Sequence, residues 1–186
     1  MNSATKVKTP PEKTSDEAKP QGLRYAREQG DAFDRTISYM TGQVAQRGEK
    51  KRAGEYIVGY AIEKAEGLYH LRHGKLQWVE PGKENIHIEI VVCDGADGRF
   101  IPGLNVWVTI TDEDGQEIGS KIQPFLWHPY LYHYGLNWTV PGDGRYTLRV
   151  DIEPPNFPRH DRINGERYTQ PVTVEFPSVK FETGHG

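Results

Sequence analysis

The chain has 186 residues, a net charge near −3, and 35% hydrophobic against 26% charged residues. That length suffices for one domain with a real core, and the mildly acidic balance argues against nucleic acid or an anionic membrane surface as the main partner. The single cysteine, Cys93, excludes an intramolecular disulfide and a cysteine-rich zinc site.

Residues 1–20 hold Lys, Pro, Thr, Ser and Glu with almost nothing apolar, and read as a disordered tail. They lack the apolar centre of a signal peptide, and no later stretch has the length of a membrane span. On residues alone the chain therefore reads as cytoplasmic, or as the mature form of an exported protein. Residues 21–52 read as a helical segment and linker. Phe33, Ile37, Met40 and Val44 fall on one helical face. Gly30 is a candidate break, and the charged run Arg47–Arg52 reads as linker.

From Glu55 the period becomes two, and residues 53–178 read as a β-sandwich. Tyr56, Val58, Tyr60 and Ile62 make a strand that is apolar on both faces. Ile86, Ile88, Ile90 and Val92 alternate with His87, Glu89 and Val91. The isoleucines belong to the core, so His87 and Glu89 share the opposite face, close enough to hold one ion. The turn Asp94–Gly98 lacks the further ligands of a calcium loop. Leu104–Ile110, Tyr146–Ile152 and Val172–Phe176 supply further strands, with a polar tail at 179–186.

Between them, Pro124–Gly135 reads PFLWHPYLYHYG. It shows neither strand nor helix period, and its prolines point to a structured aromatic loop around His128 and His133. A second rigid loop, Pro154–Asp161, presents His160. The expected class is all-β: an immunoglobulin-like antiparallel sandwich of seven or eight strands with an N-terminal helical extension.

Seven histidines are present. His70, His73 and His185 fall in solvated positions. His87, His128, His133 and His160 fall on a strand or on the two loops. Imidazoles with a carboxylate suit copper, iron or zinc, not ions that prefer oxygen alone. Each histidine taken singly is more often a hydrogen-bonded surface or core residue. No nucleophile elbow, phosphate loop or His-Glu-x-x-His helix is present. The competing reading is a carbohydrate- or protein-binding module that uses the aromatic loop 124–135. A third is a metal-dependent oxidase or reductase acting on iron.

Several local patterns, in order, resemble the small extracytoplasmic accessory proteins of high-affinity iron permeases, often described simply as iron transporters. These are Gly59-Tyr60-Ala61, His87-Ile88-Glu89, His133-Tyr134-Gly135-Leu136-Asn137, Gly144-Arg145-Tyr146-Thr147, Pro154-Pro155 and Arg159-His160-Asp161. The resemblance spans roughly Tyr56 to Phe176. It implies a non-enzymatic, commonly dimeric sandwich that binds copper, takes part in iron handling and works with an iron permease in the periplasm or another extracytoplasmic space. It implies a metal set of His87, Glu89, His133 and His160. The family's further methionine and aspartate ligands are replaced here by Phe125 and Tyr130, with His128 between them as a substitute. The site then lacks sulfur, which favours copper(II), iron or zinc over copper(I).

Overall fold

The computed structural model describes residues 12–186, so the first eleven residues of the expected tail lie outside the described residues. Helix α1 runs Pro20–Tyr39 and passes without a break into a π-helical turn, Met40–Val44. Pro20 stands in the first turn, where its missing N–H costs no hydrogen bond. Gly30 does not split the helix. A Cβ there would come within 1.7 Å of the Asp97 carbonyl oxygen, so this glycine lets α1 lie directly on the loop after Asp94.

Eleven strands follow among the described residues: β1 Arg47–Ala53, β2 Tyr56–Glu63, β3 Leu68–Arg72, β4 Lys75–Val79, β5 Ile86–Asp94, β6 Val106–Thr111, β7 Glu117–Ile122, β8 Phe125–His128, β9 Leu131–Trp138, β10 Gly144–Ile152 and β11 Val172–Phe181. One sheet has the order β1-β2-β5-β9-β8 and the other β11-β10-β6-β7, with β3-β4 a separate hairpin. All the pairings between named strands are antiparallel. The two large sheets enclose one core that includes Ile86, Ile88, Ile90, Val92, Val106, Val108, Leu148, Val150 and Phe176. This is the antiparallel sandwich with a helical extension that the strand periods lead one to expect.

Three segments differ from the sequence reading. The charged run read as linker is β1, paired along its whole length with β2. It is an edge strand, and its lysines and arginines keep that edge from pairing with another chain. The aromatic stretch is a hairpin, β8 and β9, joined at Pro129-Tyr130. Large side chains on both of its faces hide the two-residue period. The last strand runs on to Phe181: a register shift beside Tyr146, with Ser178 at φ 58°, returns Val179 and Phe181 to the core.

The helix covers the outer face of the five-stranded sheet. Ile37 and Met40 pack on Ala61, Val91, Cys93 and Leu131, with Phe33 and Ile57 at the margin. Burying an Ile or Met side chain of this kind contributes about 1.5–3 kcal/mol. Lys50 of β1 pairs with Asp34 of α1 and ties the helix to the sheet's edge.

Candidate metal centre

Strand β5 is buried on both faces. Its even-numbered residues enter the sandwich core. The odd ones face the helix side, where the helix packs on Val91 and Cys93 and its end lines a small void with Glu89. Neighbouring strands bring partners to His87 and Glu89. Glu63 of β2 stands opposite His87, and Ala61 opposite Glu89. On β9, Asn137 stands opposite His87 and Gly135 opposite Glu89.

Two residues before Gly135, His133 points to the same face. Ligand atoms of His87, Glu89 and His133 lie within 4.8 Å of one another. All three side chains are buried, His133 to 3% exposure. Three such donor atoms are close enough together that they could hold one ion.

The hydrogen bonding leaves donor atoms free. His87 Nδ1–H donates to Asn137 Oδ1 at 2.8 Å, which turns the Nε2 lone pair toward the site. Asn137 is itself clamped: its Nδ2 donates to the Glu66 carbonyl at 2.7 Å, and the Glu66 N–H donates back to Oδ1 at 3.2 Å. Both ring nitrogens of His133 are buried without a hydrogen-bond partner. Nε2 lies 3.3 Å from Glu89 Oε1, but outside hydrogen-bond geometry. Between the two imidazoles lies Gly135. A Cβ at that position would meet His133 Cδ2 at 2.9 Å and His87 Nε2 at 3.0 Å. The missing side chain therefore leaves a cradle under two imidazole edges.

Charge in the site is set by burial. Desolvation, reinforced by the neighbouring imidazoles of His87 and His128, lowers His133 to about 3. Desolvation also lowers His87, with the Asn137 bond opposing it. The same desolvation, helped by the Glu66 carboxylate, pushes Glu89 up to about 8. Glu63 is raised by burial and by its hydrogen bond with Glu66. The close contact of His133 and Glu89 is thus not an ion pair at neutral pH: the imidazole is neutral and the carboxyl keeps its proton. Neutral imidazoles beside a carboxyl that ionises on binding are what a borderline transition-metal ion selects.

The other sequence candidates fall in two places. His128, at the end of β8, has its ring centroid 6.4 Å from that of His133, and its buried Nδ1 has no partner. It sits at the rim, edge-on to Tyr130 at 4.2 Å. His160 is exposed and is not brought to the cluster. It lines a cleft with Asp94, Arg99 and Leu23, at the opposite end of β5. Its neighbour Asp161 accepts hydrogen bonds from Ser15 Oγ and Asn164 Nδ2 rather than orienting the imidazole. In the turn after β5, Asp94 and Asp97 are met by Arg167 and Arg99, which accounts for their charge without calcium. Glu63, Glu66 and Asn137 were not singled out by the sequence reading. Asn137 lies within the His-Tyr-Gly-Leu-Asn motif, whereas Glu63 is revealed by strand pairing and Glu66 by its backbone hydrogen bonds with Asn137.

Fold and site together define a small β-sandwich with a buried histidine–glutamate donor set on the outer face of one sheet. The model of the Fe2+ transport protein family matches residues 78–183, and the chain belongs to that family. Among solved structures, FetP of uropathogenic Escherichia coli is 23% identical, with a TM-score of 0.60 over 73% of this chain and 94% of its own. Copper-reconstituted P19 of Campylobacter jejuni is 17% identical, with a TM-score of 0.62 over 74% of this chain and 95% of its own. These likenesses establish the fold. No curated protein matches the chain. Among the described residues, no helix is long and apolar enough to cross a membrane.

Proposed function

We propose that this protein binds a copper or iron ion through His87, Glu89 and His133, with His128 at the rim, and serves in iron or copper handling without turnover. The observation that carries the reading is His133: an imidazole at 3% exposure, both nitrogens unpartnered, beside two further donors. A buried polar group normally finds a partner, and a bound ion would supply one. Family membership supports iron as the context, and the copper-bound structures of P19 and FetP support copper as an occupant. Zinc fits the same donors. We place the chain outside the cytoplasm, beside an iron permease, in line with the family's role and with FetP having been produced in the periplasm.

His160 enters this proposal through a second copy. Asp94, its neighbour in the cleft, is seven residues from His87 along β5, or roughly 23 Å at strand rise. Within one chain it is out of reach. A symmetric dimer would let His160 of each copy approach the centre of the other.

The test is calorimetric titration of metal-free protein with copper(II), iron(II) and zinc, beside His133→Ala. One tight site, lost in the variant, is the expected result. Equal binding by both proteins would refute the assignment.

A second reading rests on a cleft of about 750 Å³ walled by Phe33, Phe100, Phe125, Tyr132, Phe157 and Tyr168, with Arg99 and Asp94 as polar groups. Aromatic walls with a few polar groups are typical of ligand sites. Retention on immobilised oligosaccharide, lost in Tyr132→Ala, would favour this carbohydrate-binding alternative.

A further inference from the structure

The sequence reading leaves the centre without sulfur, but the fold brings a thioether to it from outside the residues that the family model matches. Met40 opens the π-helical turn at the end of α1, and the Ala45 N–H reaches back to its carbonyl at 2.8 Å, the wide spacing of a π turn. Such turns inside helices are frequent at functional sites. The Met40 side chain is 3% exposed and points onto the sheet. It lines one small void together with Ala61, Glu89, Val91 and Leu131. The sulfur therefore lies on the same sheet face as Glu89 and His133, at the border where the helix's cover ends.

Its position is held from the other side. The Tyr130 hydroxyl donates to Met40 Sδ at 3.4 Å. Tyr39 packs edge-on against Tyr130, with ring centroids 5.7 Å apart, and Tyr130 packs edge-on against His128. A run of contacts thus joins the helix end, through Tyr130, to the histidine rim. A thioether usually takes whatever apolar contact its gap offers. Here it is hydrogen-bonded by a tyrosine that itself packs on His128, and it shares a void with the Glu89 carboxyl group.

We propose that Met40 is the soft donor of this centre, and that through it the N-terminal helix selects copper(I). This rests on the proposed metal site and deepens it: imidazole and carboxylate serve copper(II), iron and zinc, and adding a thioether shifts preference to the softer monovalent ion. Cys93, the other sulfur in the same packed cluster, is set apart by register. It lies four residues beyond Glu89 on β5, and burial pushes its thiol up to about 12, away from the thiolate that binds metal.

The experiment compares wild type, Met40→Leu, Cys93→Ala and His133→Ala. Copper(I) affinity is read by competition with a chromogenic chelator, zinc affinity by calorimetry, and the copper environment by X-ray absorption. Leucine keeps the buried volume. We expect Met40→Leu to lower copper(I) affinity by about tenfold or more, to leave zinc affinity unchanged and to lose the copper–sulfur shell, with Cys93→Ala like wild type. Protein labelled with selenomethionine keeps every contact and should show a copper–selenium shell that Met40→Leu removes. Loss of both metals in His133→Ala alongside an unchanged copper(I) affinity in Met40→Leu would overturn this inference and leave the metal site standing. Full binding in His133→Ala would overturn both. An equal loss of copper(I) and zinc in Met40→Leu would show a packing role, and would also overturn it.

Discussion

In the proposed centre Gly135 and Glu89 carry the decisive roles, one by what it lacks and the other by the proton it carries. A Cβ on Gly135 would press on His133 Cδ2, Leu126 Cδ1 and His87 Nε2. We expect Gly135→Ala to abolish the calorimetric signal for copper and zinc while moving the melting temperature by only a few degrees, since overpacking of this kind costs about 1–3 kcal/mol. Retained metal binding would show that the cradle is not where the ion sits. The proton on Glu89 sets the pH dependence. For unperturbed imidazoles, metal affinity would fall below about pH 6. Burial changes this: His133 stays neutral down to about 3, and Glu89 holds its proton up to about 8. The group that competes with the ion at neutral pH is therefore the carboxyl. Affinity should rise from pH 6 to pH 8, with close to one proton released per ion near pH 6 and about half a proton near pH 8. Titrations in buffers of different ionisation enthalpy count that proton. The same shifts govern the metal-free fold. Glu89 binds its proton more tightly folded than unfolded, so stability falls as pH rises through its folded value of about 8. His133 does the reverse, so its share of stability falls as pH drops below the ordinary histidine value toward 3. Glu63, raised by burial and by Glu66, adds a slope of the same sign. Melting curves of metal-free protein should decline from pH 6.5 to pH 8.5, less steeply in Glu89→Gln, and saturating zinc should reduce that decline. A flat metal-free profile would mean that Glu89 titrates as an ordinary carboxyl.

Helix α1 and the outer face of the five-stranded sheet pack as one element pair. The helix packs on Val91 and Cys93 of that face and ends beside Glu89. Its approach depends on Gly30, whose absent Cβ would strike the Asp97 carbonyl. Backbone cannot yield as a flexible side chain can, so Gly30→Ala should lift the helix and destabilise the fold by about 1–3 kcal/mol, despite alanine's better helix propensity. Urea melts would show it, and an unchanged or raised midpoint would refute the close approach. Much of this face was legible in the sequence. Clean alternation along Ile86–Val92 placed His87 and Glu89 together, and the stripe Phe33–Ile37–Met40 marked the helix. The rest was hidden for physical reasons. In β8–β9 both faces are large and aromatic, which erases the two-residue period. In β1 the charges that protect an edge strand look like those of a linker. Glu63 comes beside His87 through cross-strand pairing, Glu66 through hydrogen bonds with Asn137, and Met40 beside Glu89 at a π turn, none of which leaves a local spacing to read. Gly30 looks like a helix breaker until the loop it touches is known.

For the whole molecule, the open question is how His160 relates to the centre, because one chain puts them at opposite ends of β5. The sequence placed four histidines and a glutamate in one set, but spacing along a chain says nothing of which end of a sheet a loop will reach. In the proposed dimer each centre draws His87, Glu89 and His133 from one copy and His160 from the other. That arrangement makes a complementation test. His133→Ala spoils a copy's own centre but leaves its His160 available. His160→Ala spoils only the donation to its partner. Either variant alone has no complete centre. Mixed by refolding, equal amounts give half mixed dimers by chance, each with one complete centre of two, so about one quarter of all centres should recover wild-type affinity. Copper titration monitored by its visible absorption would resolve that tight quarter from the weak remainder. If His160→Ala alone binds as wild type, the centre is complete within one chain and the dimer adds nothing to it. If the mixture recovers nothing, while His160→Ala alone is weakened, His160 acts through its own chain and the shared site is wrong. Recovery of the quarter would explain why an exposed histidine on one loop and a buried pair on strands β5 and β9 occur in one sequence: each is half of a centre that forms only when two copies meet.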